Sequence, residues 1–140
     1  MKQIPVIFWT GTGNTQMMAD AVAEAINAAG AEAVVKNVSE ITADEAAGYD
    51  ALALGCPAMG AEVLEECEFE PFFTELEGKL AGKKVALFGS YGWGGSYMQD
   101  WEARVNDAGA TLVADGVLAL GAPDDEAMAK LAEAGKLLAG

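Results

Sequence analysis

The chain has 140 residues, 52% hydrophobic and 21% charged, which fits one globular domain spanning 1–140 and not a disordered segment. Eight Lys and Arg stand against 22 Asp and Glu, a formal charge of −14; this argues against nucleic acid or an anionic membrane as partner and favours basic protein surfaces. The chain contains no His, which excludes His-based triads and His-ligated metal sites.

At the N-terminus there is no secretory h-region with a small-residue cleavage site, and no apolar run approaches the roughly 20 residues of a membrane span, so a cytoplasmic protein is expected. The apolar run Ile4–Trp9 reads as a buried strand with Pro5 near its start. Thr10-Gly11-Thr12-Gly13-Asn14-Thr15 follows and runs into a helix over about Asn14–Ala29. Met18, Val22, Ala25, Ile26 and Ala29 share one face of that helix, and Gly30 ends it. A second strand is expected at Glu32–Asn37, a short polar helix at Thr42–Ala47 and a third strand at Ala51–Cys56. That third strand is an unbroken apolar run, as suits a strand covered on both faces. A long loop, Pro57 to Glu70, leads to a helix beginning at Pro71–Leu76, with Gly78 and Gly82 bracketing its end. Strand four is Val85–Gly89, followed by the loop Ser90–Gly95 and a helix over Ser96–Ala108 that buries Met98, Trp101, Val105 and Ala108. Strand five falls in two pieces, Thr111–Val113 and Val117–Leu120. The last helix, Asp124–Leu138, turns Met128, Leu131, Gly135 and Leu138 inward, with Asp124 or Asp125 as its cap. Cys56 and Cys67 have neither metal-ligand spacing nor a C-x-x-C form and read as two reduced thiols.

Five strands alternating with helices give an α/β sheet covered on both faces, with right-handed crossovers. In such sheets a ligand lies beyond the carboxyl ends of the strands, where the unusual glycine-rich loops after strands one, three and four would converge. The first of these, residues 10–15, has the make-up of an anion site. Backbone N–H groups and a helix N-terminus point at one spot, and three Thr hydroxyls and the Asn14 amide add donors. The alternative to an anion site is a plain polar strand-to-helix turn with Asn14 or Thr12 as the helix cap. With no Lys or Arg in the stretch, a phosphate would be held by neutral donors alone. A P-loop would end in Gly-Lys-Ser/Thr, and a dinucleotide fingerprint would place Gly where Gln16 stands, so neither fits.

The stretch does resemble the FMN-phosphate loop of flavodoxins, Thr/Ser-x-Thr-Gly-Asn-Thr. The other two loops strengthen the resemblance. Gly55-Cys56-Pro57-Ala58-Met59-Gly60-Ala61-Glu62 and Ser90-Tyr91-Gly92-Trp93-Gly94-Gly95 are similar to those of the short-chain flavodoxins of anaerobic bacteria, as is the acidic stretch Val63–Phe73. The likeness spans the whole chain, and the region after Val113 is too short for the strand-five insertion of long-chain members. It implies a flavodoxin-like three-layer sandwich, a five-stranded parallel sheet in the order 2-1-3-4-5 with helices on both faces. It also implies a low-potential one-electron carrier, not an enzyme, whose non-covalently bound FMN passes through the semiquinone and hydroquinone. A monomer is expected. Its partners would be flavin or iron–sulfur oxidoreductases with basic docking surfaces. The alternative is an enzyme, an FMN-dependent NAD(P)H:quinone reductase, although such enzymes need extra segments for a substrate pocket. A receiver domain would need acidic residues after strand one and a phosphoacceptor Asp after strand three, where Thr10 and Cys56-Pro57 stand. A plain phosphate-ester module would leave Met59 and Trp93 without a role.

An isoalloxazine ring is a flat apolar plate with polar edges. Trp93 can stack on one face and Met59 can pad the other. Gly60, Gly92 and Gly94 let the backbone approach the ring edge, and N–H groups near Gly92 and Trp93 suit a pyrimidine carbonyl. By the resemblance, Glu62 accepts from the flavin N3–H, and Ser90 joins Thr10, Thr12, Asn14 and Thr15 around the phosphate. Gly11, Gly13, Pro57, Ala58, Ala61 and Tyr91 complete the three cofactor-binding loops. Pro57 stands where some relatives have a Ser, and it offers neither hydroxyl nor N–H, so the remaining donors must suffice. Glu62, Glu65, Glu66, Glu68 and Glu70 ring the site and oppose a second electron. One charge at about 10 Å costs about 0.4 kcal/mol in bulk water, more in a drier site and less in salt.

Met59–Glu62 is a four-residue turn whose Gly60–Ala61 peptide, in this family, flips on reduction. A type II turn requires φ > 0 at its third residue, which Ala61 disfavours, whereas type II′ requires it at the second, which Gly60 permits. Ala61→Gly is therefore predicted to stabilise the oxidised turn and lower the oxidised/semiquinone potential. A potentiometric titration checks this, and no change, or a rise, would refute it.

Overall fold

The computed structural model describes residues 3–9, 13–57, 68–91, 96–120 and 122–139. Its strands pair in parallel as β2 (Glu32–Asn37), β1 (Gln3–Phe8), β3 (Ala51–Gly55) and β4 (Lys84–Tyr91), in that order across the sheet. The fifth position is shared. β5 (Thr111–Leu112) pairs the start of β4, and β6 (Val117–Leu120) pairs its end. The helices are α1 (Asn14–Ala28), α2 (Ala43–Ala46), α3 (Phe69–Glu77), α4 (Ser96–Asp107) and α5 (Asp125–Ala139), with a 3-10 turn at Val38–Glu40. Alternate strand residues serve two cores. Val6, Phe8, Ala53 and Ala86 pack with Met18, Val22, Ile26, Leu131 and Leu138 of α1 and α5. Ile7, Leu52, Leu54 and Leu87 pack with Phe69, Phe73, Leu76 and Trp101 of α3 and α4. Burial on both faces is why β3 and β4 are continuous apolar runs instead of alternating ones.

Several boundaries and faces differ from the sequence expectation. β4 continues through Ser90 and Tyr91, which are therefore strand residues and not loop. They pair with Ala119 and Leu120 of β6, a non-local partner that a reading of local pattern misses. The α1 N-cap is Gly13, at φ 91, with no side-chain cap bond, so neither Asn14 nor Thr12 is the cap; that left-handed position favours Gly. Ala29 is exposed at the end of α1, and Gly30, at φ 94, follows it. α3 starts at Phe69, two residues before Pro71, because Pro is tolerated in a first turn where N–H groups have no helical acceptor. On α5, Met128 is 40% exposed. The buried stripe is Ala127, Leu131, Ala134, Gly135 and Leu138. Met128 lies one residue, roughly 100°, round the helix from Ala127. The stripe is small because α1 comes close: a Cβ on Gly135 would sit 2.7 Å from the Val22 carbonyl oxygen. Asp124 caps α5, accepting from Ala127 N at 2.8 Å.

Arg104 clamps α3 to α4. Nη1 and Nη2 donate to the two oxygens of Glu70 at 2.8 and 2.9 Å, and Nε and Nη2 donate to Glu77 at 3.1 and 3.0 Å. The guanidinium also lies 4.7 Å from the centroid of the Phe73 ring. The Arg104 hydrogen bond, helped by one from Thr74 and opposed by partial burial, holds the Glu70 carboxyl below its ordinary value. A carboxyl lowered on folding stabilises the fold above its unfolded pKa, and that contribution is lost as pH falls through the lowered folded value. Arg104→Met should destabilise at neutral pH by on the order of 1 kcal/mol, since the pair is partly exposed. The gap to wild type should narrow as pH falls below the ordinary carboxyl value of 4.5 and through the lowered value of Glu70 in the fold, leaving the pH-independent loss of contact with Phe73. Urea unfolding at neutral pH and in a series of increasingly acid buffers measures it, and a gap that widened in acid would contradict this account.

Candidate functional site

Register sets where the strands end. Phe8 of β1 pairs Gly55 of β3, Gly55 pairs Phe88 of β4, and Phe88 pairs Val117 of β6. Two bonds carry the pairing just past the strand ends, Trp9 N to Gly55 O at 3.0 Å and Cys56 N to Phe88 O at 3.1 Å. The chain leaves β1 at Trp9, β3 at Cys56 and β4 at Tyr91, all on this carboxyl edge. Strand order reverses here too. From β1 the chain passes through α1 to β2 on one side, and then returns to β3 on the other. α1 and α3 pack against opposite faces, so the edge between β1 and β3 is the topological switch point, where open α/β sheets take their ligands.

The N-terminus of α1 meets β4 at this edge. The first bond of the helix is Met17 N to Gly13 O, 3.1 Å, so the N–H groups of Asn14, Thr15 and Gln16 find no acceptor within the helix. No acidic residue lies in its first turn. Thr15 is 1% exposed and Ser90 6%. Their hydroxyls are 3.4 Å apart, one donating to the other, across 75 residues of sequence. Each hydroxyl keeps further hydrogen-bonding capacity. Neutral hydroxyls beside outward-pointing helical N–H groups form a donor set that fits the phosphate of FMN without a cationic side chain. Asn14 is half-buried beside Thr15, Pro57 is buried at the exit from β3, and Tyr91 is half-buried against the α3–α4 core.

Of the residues singled out in the sequence, the structure brings together Gly13, Asn14, Thr15 and Ser90, and it sets Pro57 and Tyr91 on the same edge. Thr10, Gly11, Thr12, Ala58, Met59, Gly60, Ala61, Glu62, Gly92, Trp93 and Gly94 lie outside the described residues, as do Glu65, Glu66 and Cys67. Two of the five acidic residues expected to ring the site are described, and each has an assigned contact. Glu70 is paired with Arg104, so its charge is largely offset and it adds little to the field at the edge. The Glu68 carboxylate accepts from Trp9 Nε1 at 3.2 Å, linking the residue before the phosphate loop to the residue after segment 58–67. Nothing in the sequence marks that contact, because Trp9 reads there simply as the last apolar residue of a strand. Among the described residues no group of three His, Cys, Asp or Glu side chains is placed to hold a metal ion, and no helix is long and apolar enough to cross a membrane.

Comparison with known proteins accords with this geometry. The family profile described as flavodoxin matches residues 6–135. The flavodoxin of Clostridium beijerinckii is 48% identical over 135 residues, 96% of this chain and 97% of that protein. That of Megasphaera elsdenii is 47% identical over 116 residues, 82% and 85% of the two chains. The solution structure of the two-electron reduced Megasphaera elsdenii flavodoxin superposes with a TM-score of 0.90 at 43% identity, covering 97% of this chain and 98% of that one. The chain belongs to the flavodoxin family, FMN-binding proteins that carry electrons to redox partners, and is an electron-transfer protein rather than an enzyme.

Proposed function

We propose that the carboxyl edge between β1 and β3 is the FMN site, and that the chain works there as a low-potential one-electron carrier. The observation that carries this reading is the buried Thr15–Ser90 hydroxyl pair at the N-terminus of α1. When bound, FMN supplies the electron-accepting and electron-donating chemistry. The protein's residues hold and shield it. Gly13, Asn14 and Thr15, with Thr10, Gly11 and Thr12, would take the phosphate together with Ser90. Pro57, Ala58, Met59, Gly60, Ala61 and Glu62 on one side, and Tyr91, Gly92, Trp93 and Gly94 on the other, would enclose the ring.

The balance of −14 supports partners that dock through basic surfaces, since complementary charge speeds encounter more than it tightens the complex. A monomeric, single-domain carrier of this kind suits a reducing compartment such as the cytoplasm, where Cys56, buried in the α3–α4 core, stays a thiol.

Two experiments test the reading. Thr15→Val removes a hydroxyl from a closed site and keeps the side-chain shape, and Ser90→Ala removes the hydroxyl facing it. Each should weaken FMN binding by roughly 10- to 100-fold, the value of a hydrogen bond to a charged group. Riboflavin, which lacks the phosphate, should bind as well as before. Titration of the apoprotein followed by flavin fluorescence measures both, and unchanged FMN affinity in the double variant would remove the phosphate assignment. Separately, raised ionic strength should slow reduction of a basic partner protein in stopped-flow mixing, with the steepest fall between about 0.01 and 0.15 M; salt-independent rates would contradict docking by charge.

A further inference from the structure

The carbonyl of Cys56 is the last backbone acceptor before Pro57, whose lack of an N–H ends the strand pairing. Tyr97 Oη donates to it at 2.8 Å. Tyr97 stands in the first turn of α4, two residues beyond segment 92–95. It is 2% exposed, and its ring stacks on Trp101 at 6.5 Å between centroids and 26° between planes, which fixes where the hydroxyl points. Burial, with Cys56 as a second cause, pushes the phenol well above its ordinary range, so it remains a donor at any working pH. Room for the contact comes from Gly89 of β4. A Cβ there would collide with both the Cys56 carbonyl oxygen and the Tyr97 hydroxyl. The end of β3, the end of β4 and the start of α4 therefore meet at one buried hydrogen bond, at the roots of both ring-enclosing segments. Packing alone does not call for it, because a Phe at 97 would stack on Trp101 equally well. A buried hydroxyl without a partner would cost about 1–3 kcal/mol.

We propose that the Tyr97 hydroxyl is a positioning group for the flavin: by holding the Cys56 carbonyl against α4 it fixes the exit of β3 relative to the end of β4 and the start of α4, and so sets cofactor affinity and reduction potential. This rests on the FMN site proposed above. The same clash at Gly89 gives a second route to the same spacing, because Gly89→Ala must push the two groups apart.

The test uses Tyr97→Phe and Gly89→Ala beside the wild-type chain. In the apoprotein, amide hydrogen exchange over the end of β3 and the first turn of α4 should quicken in Tyr97→Phe, while exchange over β1 and β2 stays as in wild type. FMN dissociation constants should rise about 5- to 10-fold. The two one-electron midpoint potentials should both move, and Gly89→Ala should move them in the same direction. A merely structural hydrogen bond would lower the melting temperature and quicken local exchange but leave affinity and both potentials at wild-type values; that result overturns the proposal. If Tyr97→Phe does not fold, Gly89→Ala decides by the same measurements. Failure of the wild-type chain to bind FMN would instead sink the FMN reading, and the exchange comparison would still show whether Tyr97 holds the end of β3 to α4.

Discussion

Two strands that lie parallel and adjacent cannot be joined by a tight turn; the chain between them must cross over the sheet. In this protein β1 and β3 are such a pair, separated in sequence by α1, β2 and α2. Pairing Phe8 with Gly55 levels the carboxyl ends of the two strands, and the crossovers put α1 on one face and α3 on the other. The N-terminus of α1 is therefore delivered to the switch point by topology. Lose that register and the N-terminus of α1, with Thr15, no longer meets Ser90 at the end of β4.

Polar contacts at this edge carry the positioning in a setting where unpaired groups are costly. The Thr15–Ser90 pair ties α1 to β4, the Tyr97–Cys56 bond ties α4 to β3, and the Trp9–Glu68 bond ties β1 to the start of α3. The first two are buried. Each net hydrogen bond contributes about 1 kcal/mol, whereas an unsatisfied buried hydroxyl costs more than that. These contacts therefore act more on geometry than on total stability. The two apolar cores supply most of the stability, and the edge contacts hold the strand exits where the register has placed them.

Charge divides in a similar way. The surface is strongly acidic, yet Arg104 gathers Glu70 and Glu77 into one half-exposed cluster over Phe73. At its first turn α1 carries no acidic residue. A site for a dianion built from neutral hydroxyls and helical N–H groups avoids placing a second negative charge beside it.

By itself the sequence determined the alternation of strands and helices, the double burial of β3 and β4 and the two-part fifth strand, and it singled out residues 10–15 as the candidate anion loop. Those features are written in local pattern: apolar runs, helical periodicity, and glycines and hydroxyls at fixed spacing. Residues 10–15 were legible as an anion loop because the donors it needs are neighbours in sequence. What only the tertiary structure decided depends on residues far apart in the chain. Ser90 and Tyr91 are strand residues because β6 pairs with them, Met128 faces solvent because α1 closes on Ala127 and Gly135, and Glu70 is paired because α4 brings Arg104 to it. Trp9 reaches Glu68 across 59 residues and Tyr97 reaches Cys56 across 41. A hydrogen bond between side chains or backbone so distant leaves no periodic trace in the sequence, and it exists only once the sheet has fixed where each strand ends.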